Sequence, residues 1–473
     1  MQIAFIVCNM AIMVSYCMQR VYRGHGRLLL LMLALVLGAA GTVAGQTTAK
    51  NDTQAILTEV SQFMARREYS AALELFDKID KPVLQTTEIQ LLKASVLNSA
   101  GRSAEARAIA SGISSRAPNN IDALLVLAAS AALEGKDRDQ RAFLERVIKI
   151  DPKNLKALSD LGYIALRNQS LRTAASHFDN ALAVDGNYRE ALVGRAIVYN
   201  YTHEPKKSEQ LFNKAIQLNP QWAMPYNERA RLYKGAGYPE DALRDLDQAK
   251  KLDPDSYWIS VDRASTLIEL NRKPEALEEL NRAVALSPDS FLAYIYRAGI
   301  KDETGDYKGA EQDYLVLTKI KPDYYFAAEG LGIIKMRYHQ YTEARDAFLA
   351  AYKYAPKEYR YALLAAINWM KAGRPSDPKQ FLAQVLRTAP RDSADWYLLR
   401  LYHDFSGDSD AVDRTVREQN FDTKSKMLFY IANYYDIRGN KTLANKFFLE
   451  VQDMNRVGTV EWKINEFMLE ERK

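Results

Sequence analysis

The chain has 473 residues, 26% of them charged, with 64 basic and 59 acidic side chains and a formal net charge of +5. Three of the basic groups, Arg20, Arg23 and Arg27, fall in the first 45 residues, which carry no acid, so the remainder is nearly neutral at 61 basic against 59 acidic. Nucleic-acid binding needs a clustered basic surface, and the absence of any basic run excludes it as an expected function.

The N-terminal segment has the layout of a targeting signal rather than of a folded element. Arg20, Arg23 and Arg27 form a basic region, Leu28 to Leu37 an apolar run, and Gly38 to Gly45 a small-residue stretch. Residues 1–45 therefore read as a secretory signal peptide, with Met18 as a candidate start and cleavage near Ala44, Gly45 or Gln46. Residues 28–45 barely reach a spanning length and are Gly/Ala-rich in their second half, so no integral membrane segment is expected after cleavage. Both cysteines, Cys8 and Cys17, precede the apolar run and leave with it. Disulfides and thiolate metal sites are then ruled out of the mature chain. The expected location is exported, periplasmic or envelope-associated, and residues 46–52 read as a short linker.

Beyond the linker a proline returns every 34 residues. Pro118, Pro152, Pro220, Pro254, Pro288, Pro322, Pro356 and Pro390 share one register, and Gly186 fills the vacant slot. A fixed period of this length marks a solenoid whose units bury their apolar faces against their neighbours. Counting from the prolines gives twelve tandem units over residues 53–460. Within each, apolar residues at positions 4, 7 or 8 and 11, and again at 20, 24 and 27, follow helical spacing in two runs. Position 8 is small (Ala94, Ala128, Gly162, Ala196, Ala230, Ala264, Ala298, Gly332, Ala366), which lets two helices approach closely. Glycine at position 15 (Gly101, Gly135, Gly237, Gly305, Gly373, Gly407) suits a helix end at positive φ, and the proline stops the second helix. After Val460, residues 461–473 predict a C-terminal capping helix with an apolar strip of Ile464, Phe467 and Met468.

One repeat reads Tyr226, Ala230, Tyr233, Gly237, Ala242, Leu246, Ala249, Pro254, and another Leu158, Leu161, Gly162, Ala174, Phe178, Ala181. This pattern closely resembles the tetratricopeptide repeat (TPR) family over essentially the whole mature chain. The resemblance implies an all-α superhelical solenoid of about twelve 34-residue helix-turn-helix repeats, whose first helices line a continuous concave groove with positions 2, 5, 9 and 12. At those positions lie Asn200, Met224, Asn227, Arg231, Lys234, Trp258, Leu292, Ile295, Asp302 and Phe326. Their mixture of apolar anchors, amides and charges suits a peptide lying along the groove. Asn227, Arg231 and Lys234 stand about one turn apart and could hold a carboxylate, although the fuller clamp pattern of some family members is missing.

Tyrosine is uneven, with seventeen of 28 between Tyr294 and Tyr435. Those near repeat boundaries, Tyr325, Tyr352, Tyr354, Tyr359 and Tyr361, form a candidate second contact region, since tyrosine favours interfaces. Arginine at position 7 (Arg195, Arg229, Arg263, Arg297) faces an acid at position 23 in three repeats (Asp245, Glu279, Asp313), which predicts a structural ladder of ion pairs.

The four histidines after the signal lie in different repeats without ligand spacing, and neither a phosphate-cradling glycine loop nor a nucleophile elbow is present. No catalytic residue, metal or cofactor is expected, and the chain does not read as an enzyme. The expected function is a non-catalytic scaffold of the cell envelope that binds protein partners, as a possible subunit of an envelope complex. The alternatives are a glycan- or polysaccharide-binding module and a self-assembling structural spacer. Similar repeat proteins of bacterial envelopes support outer-membrane assembly, polysaccharide export and cell-wall enzyme control.

Overall fold

The computed structural model describes residues 47–374, 376 and 378–472, with side chains from residue 53 onward. The segment read as a signal peptide lies outside the described residues. Among those described, every regular element is a helix, and consecutive helices pair in the helix-turn-helix manner of a TPR solenoid. The chain divides into two compact halves, one through Asp262 and one from Arg263.

From Thr87 to Tyr354 the pairs are uniform: thirteen residues in each first helix and fourteen in each second, as in Ala223–Gly235 with Pro239–Leu252. The turn between them is fixed by its backbone. Position 15 adopts the left-handed conformation whether it is glycine (Gly237, φ 81°) or not (His203, φ 59°; Asn271, φ 56°). A left-handed residue just past a helix end lets the chain turn back while satisfying the last carbonyls. Some first helices are capped by a side chain at their start: Asn120, Asn154 and Ser290 accept from the backbone N–H three residues on, at 2.8, 3.0 and 3.2 Å. Several second helices open on proline, where a missing N–H costs nothing.

Small residues at position 8 make room for the second helix. A Cβ added at Gly162 would stand 2.6 Å from the Phe178 ring, and one at Gly332 would stand 2.7 Å from Phe348. Ala230 is fully buried with Ala242 and Leu246, its repeat's own second-helix residues. The arginine ladder is present between the helices of three consecutive pairs. Arg229 grips Asp245 through two hydrogen bonds of 2.7 and 2.6 Å, Arg263 meets Glu279 at 2.8 Å, and Arg297 grips Asp313 at 2.9 and 2.6 Å. Arg229 and Arg297 also reach Asn213 and Asn281 on the preceding repeat, so the ladder ties neighbours together. Arg195 has Leu211 where the acid would be. It turns instead to Asp179 of the preceding repeat at 2.7 Å and lies 4.0 Å over the Tyr199 ring.

The ends depart from the register. The first helix, Thr47–Ala65, begins six residues ahead of position 53, so the stretch read as a linker is helical from Thr47. Its partner is short, Tyr69–Glu74 followed by a 3-10 turn at Leu75–Lys78, and an extra turn of helix, Lys81–Leu84, follows. The second helix after Tyr359–Lys371 is reduced to Pro378–Leu386, where Pro378 sets a late start. The last pair, Phe421–Ile437 and Lys441–Asp453, turns at Gly439, two residues early. The final helix is Val460–Glu470.

Filling the position-8 slot tests this packing. Ala230→Leu should destabilise the protein by about 1–3 kcal/mol through overpacking, read as a lower denaturant midpoint in equilibrium unfolding.

Candidate partner-binding face

Neighbouring first helices touch each other within each half, as Leu155–Arg167 touches Arg189–Tyr201 and Tyr359–Lys371 touches Ala394–Asp404. Among the described residues, neighbouring second helices make no comparable contact. The first helices therefore lie on the inside of the curve in each half. Positions 5 and 9, expected to face an open groove, lie largely in the seams between them.

In the N-terminal half this seam is apolar at Leu125, Tyr163, Val193 and Ile197 and becomes polar around Arg231. Asn227, 1% exposed, donates from Nδ2 to Asp262 Oδ2 at 3.1 Å, and its own Oδ1 is buried without a partner. Arg231, with a side chain 10% exposed, donates to Glu228 Oε1 at 2.8 Å and to Asp262 Oδ2 at 2.8 and 2.9 Å. One arginine is thus held between two acids of adjacent first helices, Ala223–Gly235 and Tyr257–Glu269. A related pair, Lys156 and Asp160, lies on Leu155–Arg167 at 2.6 Å, with Asp160 buried. The structure brings Asn227 and Arg231 together, but around Asp262 rather than toward solvent. Glu228 and Asp262 escaped the sequence reading. Their signal is an acid at position 6, shared with Asp160; Asp160 and Glu228 have a base at position 2 or 9 of their own repeat, whereas Asp262 takes Arg231 from the preceding one.

Of the other expected groove residues in this half, Met224 is buried, while Asn200, Lys234 and Trp258 are half-buried. Asn200 and Lys234 hold the same register position on adjacent helices that pack together. The Trp258 ring meets Tyr257 edge-on at 4.9 Å. The accessible part of the face is accordingly an indole, an amide and an ammonium over a buried, charge-compensated floor.

In the C-terminal half the seam is apolar. Leu363, Ile367 and Met370 are buried, and Tyr359–Lys371 touches both Ala394–Asp404 and Phe421–Ile437. The expected continuous groove does not stay open here, because apolar inner residues draw the first helices onto one another. Ile295 is half-buried beside Tyr294, Phe326 packs on Tyr325 at 4.3 Å, and Asp302 binds Lys463 and accepts from Tyr314 at 3.4 Å. The tyrosines mostly build the fold. Tyr361 is buried and donates to Glu329 at 2.7 Å, Tyr359 donates to the Thr388 carbonyl at 2.8 Å, and Tyr352 meets Phe381 edge-on at 5.6 Å. Tyr325 leans on Tyr361 at 6.0 Å, which leaves Tyr354 as the exposed member of the set.

Two carboxyls of this half are shifted in opposite directions. Burial pushes Glu329 up, against the hydrogen bond from Tyr361 and the charge of Arg360. Burial would raise Asp436 as well, but the hydrogen bond from Lys441 and the charges of Lys371 and Arg472 hold it down at about 2. Among the described residues no group of His, Cys, Asp and Glu is placed to hold a metal, and no helix is long and apolar enough to cross a membrane.

Residues 159–221 and 234–298 match family models of the tetratricopeptide repeat, so the chain carries these repeats. No curated protein matches the sequence. Among solved structures, the Cut9–Hcn1 hetero-tetramer of APC/C is similar at 15% identity with a TM-score of 0.51, over 70% of this chain and 65% of that one. Pseudomonas aeruginosa pilF is 18% identical over 44% of this chain and 94% of its own, with a TM-score of 0.40. YrrB, a TPR protein with an unusual peptide-binding site, is 17% identical over 39% of this chain and 95% of its own, with a TM-score of 0.31. These likenesses speak to the fold alone. Proteins built from this repeat are in general non-enzymatic scaffolds for protein interaction.

Two substitutions check the electrostatics. Asp262→Ala, which leaves Arg231 and Asn227 short of their shared acceptor, should cost about 1–3 kcal/mol in urea unfolding. Asp436, with a side chain 9% exposed, has a folded value of about 2 against an ordinary 3.8. Its contribution is complete above the ordinary value and is lost as pH falls toward the folded one. The wild type should therefore lose about 2 kcal/mol between pH ~4 and ~2 that Asp436→Asn does not lose over the same range, measured by urea unfolding at stepped pH.

Proposed function

We propose that this protein is a non-catalytic scaffold of the cell envelope that holds a segment of a partner protein against the inner face of its N-terminal half. The observation that carries this reading is the set of half-buried residues Asn200, Lys234 and Trp258, placed over the Glu228–Arg231–Asp262 network. An indole at position 2 supplies apolar contact area at low entropic cost, while the amide and ammonium at position 12, about 15 Å further along their helices, add polar groups suited to a peptide backbone. The network beneath is already paired and holds two adjacent first helices in register, so the contact surface is fixed before a partner arrives. Preorganisation of this kind lowers the ordering cost of binding. The envelope part of the proposal rests on the basic, apolar and small-residue order of residues 20–45.

A photo-crosslinking residue at position 258, introduced into the full chain in its native cells, tests both parts. One dominant protein adduct is expected in the envelope fraction, falling by about tenfold when Lys234→Glu is added, as for loss of one interface anchor. Scattered adducts that ignore the second substitution would remove the scaffold reading. A single adduct confined to the cytoplasmic fraction would remove only the envelope part.

A further inference from the structure

The final helix, Val460–Glu470, does more than cover the last repeat. It packs on Lys441–Asp453 and Phe421–Ile437, as a cap would, and also on Tyr325–Arg337, four repeat positions earlier. Helical spacing separates the two sets of contacts. Lys463, Phe467 and Glu470 form one stripe that meets the earlier repeats. Lys463 pairs with Asp302, Glu470 pairs with Arg337 at 2.9 Å, and the Arg337 guanidinium lies between the rings of Tyr307 (4.5 Å) and Phe467 (5.4 Å). Glu461, Ile464, Asn465 and Met468 form a second stripe, buried against the last repeats. There Glu461 lies 3.9 Å from Arg360 and accepts from Tyr430 at 3.3 Å, and Asn465 donates to the Phe448 carbonyl at 3.1 Å.

Two features describe how this helix is held. Beside its buried Ile464, Phe467 and Met468 it is held by ion pairs, to which Arg472–Asp436 at 2.6 Å adds, and Glu471 stands 3.5 Å from the His339 ring. The connection to the preceding helix passes through two residues at positive φ, Asn455 (50°) and Gly458 (95°).

We propose that the inner face of the C-terminal half is a helix-binding groove in which Val460–Glu470 is the resident occupant, displaced by a partner's helix of the same chemistry. The charges of the groove define that partner. Asp302 at one end calls for a lysine in the partner's first turn, Arg337 and His339 at the other call for acids in its last turn, and the span between them takes an aromatic residue. An amphipathic helix with lysine, an aromatic and an acid at i, i+4 and i+7 satisfies all three. This site lies in the other half from the face proposed above and does not depend on it.

The probe is a fluorescent synthetic peptide of residues 459–473, titrated by anisotropy against the full-length protein and its Lys463→Glu/Glu470→Arg variant. Because the resident helix lowers apparent affinity by the fraction of molecules whose groove is vacant, the variant should bind at least about tenfold more tightly than the wild type. A peptide carrying the same two reversals should not bind it. Amide hydrogen exchange on the wild type supplies a measurement that needs no variant, with residues 460–470 exchanging about tenfold faster than residues 441–453. Equal affinity of the two proteins for the peptide would overturn the proposal. Should the variant fail to fold, exchange alone decides, and exchange of 460–470 in step with 441–453 would overturn it as well.

Discussion

Each repeat of this protein depends on two helices lying so close that only a small side chain fits between them. Gly162 leaves room for Phe178, and Ala230 faces Leu246, because the residue at position 8 ends where its partner helix begins. That closeness forces a turn of fixed length, which the left-handed residue at position 15 supplies even where it is histidine or asparagine. A β-carbon at positive φ costs about 1–2 kcal/mol, and close packing on both sides of the turn over-determines the conformation. The 34-residue period follows from those two constraints together. The arginine ladder then uses that period, since a residue held at a constant offset from its acid can be paired again in the next repeat.

A second level of organisation lies in the seams between neighbouring first helices, which change character along the chain. Around Arg231 the seam is polar and charge-compensated, and each partner fixes the geometry of the others. Around Ile367 it is apolar. An apolar seam can slide among nearly equivalent packings, whereas a hydrogen-bonded one is satisfied in a single register, so the polar seam contributes specificity more than stability. A surface meant to present side chains at fixed spacing gains from such a floor. A surface that closes on itself does not need one.

The repeat, its helices, the small slot, the turn glycines and the pairing of Arg229, Arg263 and Arg297 with their acids could all be read from spacing, because every one of those contacts lies within a repeat. The role of Asp262 could not. It meets Asn227 and Arg231 across 35 and 31 residues, between helices of different repeats, at a position that carries no apolar signature. For the same reason Asn227 and Met224, which sit where a groove was expected, are buried. Periodicity assigns a residue to the inner side of the curve, but the tightness of the curve decides whether that side meets water or another helix. The tyrosines of the C-terminal half were ambiguous in the same way, since a boundary position serves packing and display equally well until neighbours such as Phe381 and Glu329 are placed.

Curvature also explains the last helix. A small rotation per repeat is invisible in any single pair, yet over four repeats it brings Val460–Glu470 onto Tyr325–Arg337. A cap that faces water needs only a polar outer surface, and any pattern of charge would serve. Here the outer stripe faces Asp302 and Arg337, so Lys463 and Glu470 must be of the right sign and in the right turn.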